Sequence, residues 1–249
     1  MIERKRPTPA LDALFAELLE AGEDASRVRQ FLARGELDEA LMVALLRRAV
    51  PIRALELAGT APPWCERPVV LGAIVLNPRT PRPLAQRLLP ALYWRDLAEA
   101  AASPRVQNAV RVRAEALLKE RLPELRLGDR ISLARMATPP VLALLLEDPD
   151  AKVLQGALDN PRLREEDLRF ALRALTASRT LLEQAAASQR WRDVYGVRLE
   201  LVLQPRTPLA LALAQVSSLV PRDLRRVARA PGLTPLVQAA ALRVAREAP

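Results

Sequence analysis

The sequence predicts an all-α fold, a solenoid of short stacked helices, and three observations predict it: a helix-forming composition, an internal repeat, and proline-led punctuation. Half of the 249 residues are hydrophobic, most of them Ala, Leu and Val, while aromatic residues make up 3%. Ala, Leu and Arg lead the ranking of helix formers. A core built this way consists of many small helix contacts and few large rings.

Sliding the chain against itself by 127 residues aligns Val75–Ala114 with Val202–Ala241, without gaps, at 16 of 40 positions. Shared Ala and Leu are common in this composition, but the anchors are more specific. Pro78-Arg79-Thr80-Pro81 meets Pro205-Arg206-Thr207-Pro208, Arg95-Asp96-Leu97 meets Arg222-Asp223-Leu224, and Pro104 meets Pro231. A third anchor, Asn160-Pro161-Arg162-Leu163, lies between Asn77-Pro78-Arg79-Thr80 and Gln204-Pro205-Arg206-Thr207. The spacing suggests units of about 42 residues, the length of HEAT and armadillo repeats, with two or three short helices each. A fourth anchor is expected near Leu122-Pro123, where the pattern has degenerated.

Taken in order, the elements begin with residues 1–50, which lack the anchor. Leu11–Leu19 and Leu37–Leu46 read as helices there, and the region is expected to form an N-terminal helical cap, since terminal repeats are atypical where they close a core. Residues 51–249 are expected to form the repeat stack, continuous with the cap as one body. Thr80-Pro81, Thr138-Pro139, Thr207-Pro208 and Thr234-Pro235 each place a hydroxyl before a proline. Threonine suits the N-cap and proline the first helical position, so each pair predicts a helix start. Asp96 and Asp223 fall where a second helix begins, and a carboxylate suits that positive end. Ser103-Pro104 opens a run to Arg121 with Val106, Val110, Ala114, Leu117 and Leu118 on one face. No strand-like alternation of useful length occurs. With 22 prolines against 8 glycines and no Gly/Ser linker, nothing divides the stack.

The turns Leu76-Asn77-Pro78-Arg79-Thr80-Pro81 and Leu158-Asp159-Asn160-Pro161-Arg162-Leu163, with Asp148-Pro149-Asp150-Ala151-Lys152-Val153, resemble those of bacterial HEAT-like and leucine-rich-repeat-variant proteins. The likeness covers Arg53 to Ala248. It implies a curved helical stack, often one that binds proteins. The prototype of the leucine-rich-repeat variant is associated with a cysteine-ligated iron–sulfur cluster near its N-terminus. This sequence lacks that cysteine cluster, so the resemblance implies no cofactor here.

The formal net charge is +9, from 38 basic and 29 acidic residues, and only Lys5, Lys119 and Lys152 are lysines. The charges are mixed along the chain and form no basic tail, which fits a solvated surface more than a dedicated nucleic-acid face. There is no histidine, and Cys65 is the single cysteine. Those counts remove Ser-His and Cys-His nucleophile pairs and most metal sites. No apolar run reaches a membrane span's length and no secretory leader is evident, so a cytoplasmic protein is expected.

The one binding feature that can be named is Arg79, Arg162 and Arg206, which recur at one place in three units. Stacking would set them along a ridge able to meet phosphates or carboxylates. The alternative is that each fixes its turn by pairing with an acidic residue or a helix end. The preceding Asn77, Asn160 and Gln204 are expected to form a ladder to adjacent backbone, because a buried amide needs partners. Trp94-Arg95-Asp96 and Trp191-Arg192-Asp193 invite comparison with HEAT-like DNA glycosylases, but they lie off the repeat register and read as capping carboxylates beside half-buried rings. The function expected is a non-enzymatic protein-binding scaffold; the alternative is a nucleic-acid-binding solenoid, with glycosylase-like lesion recognition as one form of it.

Overall fold

The computed structural model describes residues 9–247, which hold seventeen α-helices and no strand. No described helix is long and apolar enough to cross a membrane. The chain divides into two compact units, one ending at Pro123 and the other starting at Glu124. The first contains α1 (Pro9–Ala21), α2 (Ala25–Leu32), α3 (Glu39–Leu46), α4 (Ile52–Ala58), α5 (Pro68–Leu76), α6 (Arg82–Leu88), α7 (Trp94–Ala102) and α8 (Asn108–Arg121). The second contains α9 (Leu127–Met136), α10 (Pro139–Leu145), α11 (Ala151–Leu158), α12 (Glu165–Arg173), α13 (Arg179–Ala187), α14 (Tyr195–Leu203), α15 (Leu209–Val216), α16 (Pro221–Ala228) and α17 (Pro235–Glu247).

Seven helices of the first unit recur in the second. From α4 to α8 the counterparts α13 to α17 start 127 residues on; α2 and α3 meet α11 and α12 at an offset one residue shorter. Asp24, Ala25, Leu32, Leu37, Glu39, Leu46 and Arg47 thus meet Asp150, Ala151, Leu158, Leu163, Glu165, Leu172 and Arg173. The local chemistry agrees. Asp24 caps α2 by accepting from Ser26 N–H at 2.8 Å, and Asp150 caps α11 by accepting from Lys152 N–H at 2.8 Å. The cores agree as well. In the second copy Val202, Val216, Leu219, Leu224, Val237 and Ala241 pack into one buried cluster. Their counterparts Val75, Leu89, Leu92, Leu97, Val110 and Ala114 are all buried.

Within each unit helices pack on their second neighbours, α3 on α5 and α5 on α7 in the first and α9 on α11 and α12 on α14 in the second, while the closing pairs α7 with α8 and α16 with α17 pack on each other most extensively. Polar side chains pin this arrangement by reaching back 23 to 33 residues to loop or helix-end carbonyls. That step is shorter than the unit of about 42 residues that the anchor spacing suggests. Trp64 and Trp191, both buried, donate their indole N–H to Leu32 O and Leu158 O, each at 2.8 Å. At the expected fourth anchor a short 3-10 turn, Leu122–Glu124, follows α8, and Arg121 takes the pinning role. Its guanidinium donates to Leu92 O and Pro90 O at 2.6 Å each. The N-terminal region is tied in the same way: α3, in the expected cap, packs on α5.

The Thr-Pro pairs start helices, but not as N-cap threonines with capping bonds. Pro81 and Pro208 themselves occupy the N-cap positions of α6 and α15, in extended backbone. Thr80 is therefore one residue outside the helix; buried, it turns its hydroxyl back to donate to Ile74 O at the end of α5. Thr207 is buried with no partner for its hydroxyl among the described residues. Thr138 does sit at the N-cap of α10 before Pro139, but it makes no capping bond. α17 starts at Pro235, immediately after Thr234.

Candidate binding cleft in the second unit

The recurrent amides form the expected ladder. Asn77, Asn160 and Gln204 are buried. Asn77 Nδ2 donates to Leu46 O and, at 2.7 Å, to Arg48 O. Asn160 Nδ2 donates to Ala134 O at 2.8 Å and Ala137 O at 3.2 Å. Gln204 Nε2 donates to Leu172 O at 2.7 Å and Ala174 O at 3.1 Å. Each amide oxygen then accepts the backbone N–H two residues on, which shapes the turn.

Those N–H groups belong to Arg79, Arg162 and Arg206, whose side chains are exposed and also reach back. Their Nη1 atoms donate to Ala49 O at 3.1 Å, Met136 O at 3.0 Å and Leu175 O at 2.8 Å. Each guanidinium thus clamps, with one nitrogen, a loop or helix end 26 to 31 residues back. In the second unit, Arg162 follows α11, which packs on α9, whereas Arg206 follows α14, which packs on α12. The two arginines therefore belong to different helix pairings.

The remaining chemistry gathers beside Gln204 and Arg206, in a cleft of about 680 Å³ lined among others by Arg173, Leu175, Glu200, Leu203, Arg226 and Arg229. Glu200, on the buried side of α14, is 2% exposed. Its Oε1 accepts from Arg169 Nη2 at 3.0 Å and from Arg173 Nη2. Burial pushes the Glu200 carboxyl up, but the hydrogen bonds from Arg173 and Arg169 outweigh it and hold the group below the usual carboxylate range. Glu200 is therefore ionised, and it fixes the two arginines over α14. Gly196, one turn earlier, makes room: a Cβ there would run into Glu165 and stand 2.9 Å from Arg169 Cδ. Arg226 and Arg229, from α16 and its C-terminal cap, are exposed and form no ion pair among the described residues.

Asp96, of the first Trp-Arg-Asp triplet, and its counterpart Asp223 stand at helix starts. Asp96 lies in the first turn of α7, its carboxyl pushed up chiefly by burial. Its counterpart Asp223 accepts from the Tyr195 hydroxyl at 2.6 Å, and that oxygen in turn accepts from Val220 N–H. The carboxylate thus steadies the start of α16 through a neighbouring ring. Cys65 is partly exposed beside Trp64. The cleft itself escapes a repeat search, because its charged residues other than Arg173, which matches Arg47, stand where the two copies differ.

No protein family, curated protein or solved structure matches the chain.

Proposed function

We propose that the chain is a non-enzymatic scaffold, an α-solenoid of the HEAT-like kind, that binds another protein in the cytoplasm. The observation that supports this reading is the use of the polar side chains. Buried amides and indoles in both units, and the half-buried guanidinium of Arg121 in the first, reach back to carbonyls at or beyond the end of an earlier helix. Such rungs satisfy backbone groups that burial would otherwise leave unpaired, and they favour stacking of successive helices. In repeat stacks of this type each unit contacts its neighbours alone and the outer faces remain for binding. Exposed apolar side chains, Phe170 at 78% and Leu175 at 86%, supply the sort of contact a protein partner covers.

The test is purification of the tagged chain from cross-linked cells, followed by reconstitution with the partner from purified components. The expected result is a stoichiometric complex that survives nuclease. One specific observation favours the nucleic-acid reading: Arg226 and Arg229, without an ion-pair partner among the described residues, line the cleft with Arg173. Tight, steeply salt-dependent binding of DNA or RNA by the purified chain, with no protein complex, would replace the scaffold reading with that one.

A further inference from the structure

The duplication provides an internal control. Residues that both copies share build the fold; residues that one copy alone carries are not needed to build it. At the cleft, Arg169, Glu200, Arg226 and Arg229 of the second copy correspond to Val43, Ala73, Glu99 and Ala102 of the first, whereas Arg173 is shared with Arg47 and differs in the carboxylate it meets. The first copy forms the same helices with Ala73 buried and Glu99 exposed. The fold thus accommodates a plain apolar residue where Glu200 stands, and the opposite charge where Arg226 stands. Leu175 follows the same pattern. Its counterpart is Ala49, yet Leu175 is 86% exposed at the cleft rim, with its carbonyl held by Arg206.

These features also agree with one another. Three guanidiniums, Arg173, Arg226 and Arg229, face the cleft against one carboxylate, Glu200, whose charge is already engaged by Arg169 and Arg173. Arg173 makes no other side-chain hydrogen bond among the described residues, so most of its donors are free. Arginine is suited to carboxylates, which it meets with paired donors. Between the charges the wall is apolar, with Leu203, Pro205, Ala230 and Pro231. The lining includes no aromatic ring on which a nucleobase could stack.

We infer that this cleft binds an acidic segment of a partner protein, its carboxylates taken by Arg173, Arg226 and Arg229 and a neighbouring apolar side chain packed on Leu175. The inference rests on the protein-binding reading above and narrows it to one class of partner sequence. Glu200 does not meet the ligand in this arrangement; it positions Arg173.

The test is selection from a random-peptide display library on immobilised full-length chain, with the double variant Arg226→Glu/Arg229→Glu run in parallel. Both arginines are exposed, so the variant should keep its circular dichroism and melting temperature. Wild type is expected to enrich sequences that combine Asp or Glu with Leu, Ile or Phe, and the variant to lose them. A selected peptide, labelled for fluorescence anisotropy, should lose about tenfold in affinity for each arginine changed singly to Ala. Leu175→Ser should weaken the peptide while leaving any binding of inorganic phosphate unchanged. Enrichment of no sequence, or of the same sequences by wild type and double variant, overturns the proposal. So does an oligonucleotide of equal charge that binds the cleft more tightly than the peptide. A protein partner whose reconstituted complex is indifferent to Arg226→Glu/Arg229→Glu would sink the cleft and leave the scaffold reading standing.

Discussion

In the first copy α5 presents Ala73 to its neighbours; in the second, α14 presents Glu200 at the corresponding position, buried to the same degree and bound by two arginines. Around that difference the two copies keep the same helix order, the same buried Leu and Val positions and the same backward-reaching side chains. The contrast separates two kinds of residue. Asn77 and Gln204, Trp64 and Trp191, Arg79 and Arg206 perform one task twice and belong to the architecture. Arg169, Glu200, Arg226 and Arg229 have no equivalents, so this order of helices forms without them.

The largest effect should come from leaving Glu200 buried and alone. Arg169→Met/Arg173→Met is expected to lose about 3 kcal/mol in urea unfolding, the lower end for a broken buried pair because both arginines already reach water. Glu200→Ala, which restores what the first copy has, should cost less than that. The pH dependence sharpens the contrast. Because Glu200 is held below its ordinary range, its stabilising contribution is present at neutral pH and is lost as pH falls through that lowered value. Glu200→Ala should remove this acid-sensitive component, as read from unfolding curves between neutral and strongly acidic pH. If Glu200→Ala proves the more damaging change, the first copy is not the control it is taken for.

A smaller and nearly equal pair of effects is expected at the amides. Asn77→Ala and Gln204→Ala each leave two carbonyls without a side-chain donor, and each should cost about 2 kcal/mol by chemical denaturation. A near-zero change at either would show that its rung is not maintained in solution.

The smallest effects concern the two threonines, and here the copies should part. Thr80→Ala removes a buried hydroxyl that donates to Ile74 O and should cost about 1 kcal/mol. Thr207→Val replaces a buried hydroxyl without a partner and should leave the melting temperature unchanged or raised. Equal losses at both sites would mean that Thr207 finds a partner after all.

The repeat is legible because Pro-Arg-Thr-Pro recurs at fixed spacing, and the helices are legible because prolines and apolar runs mark them. Trp64 and Trp191 lie at the same 127-residue offset, a match present in the sequence but missed when Trp191 is set beside Trp94. Asp24 and Asp150 are harder to pair, since a one-residue shift between the copies moves the N-terminal helices out of register. The threonines mislead for a local reason. Thr-Pro fits an N-cap followed by a first helical residue, but Pro81 and Pro208 take the cap position themselves and push the hydroxyl outside the helix. The cleft is illegible for a deeper one: self-comparison finds what two copies share, and a feature confined to one copy registers only as mismatch.

One such mismatch affects how the chain reaches its fold. Chains with similar internal segments risk docking a helix from one copy into the place meant for its twin, a typical failure of repeat proteins. Asn77 and Gln204 stand at matching positions and differ by one methylene. Offered to the wrong loop, the shorter amide would stop short of the two carbonyls and the longer one would overreach them, leaving buried polar groups unpaired. The rungs that hold each copy together would therefore also disfavour a helix docked in its twin's berth, at the cost of those unpaired groups.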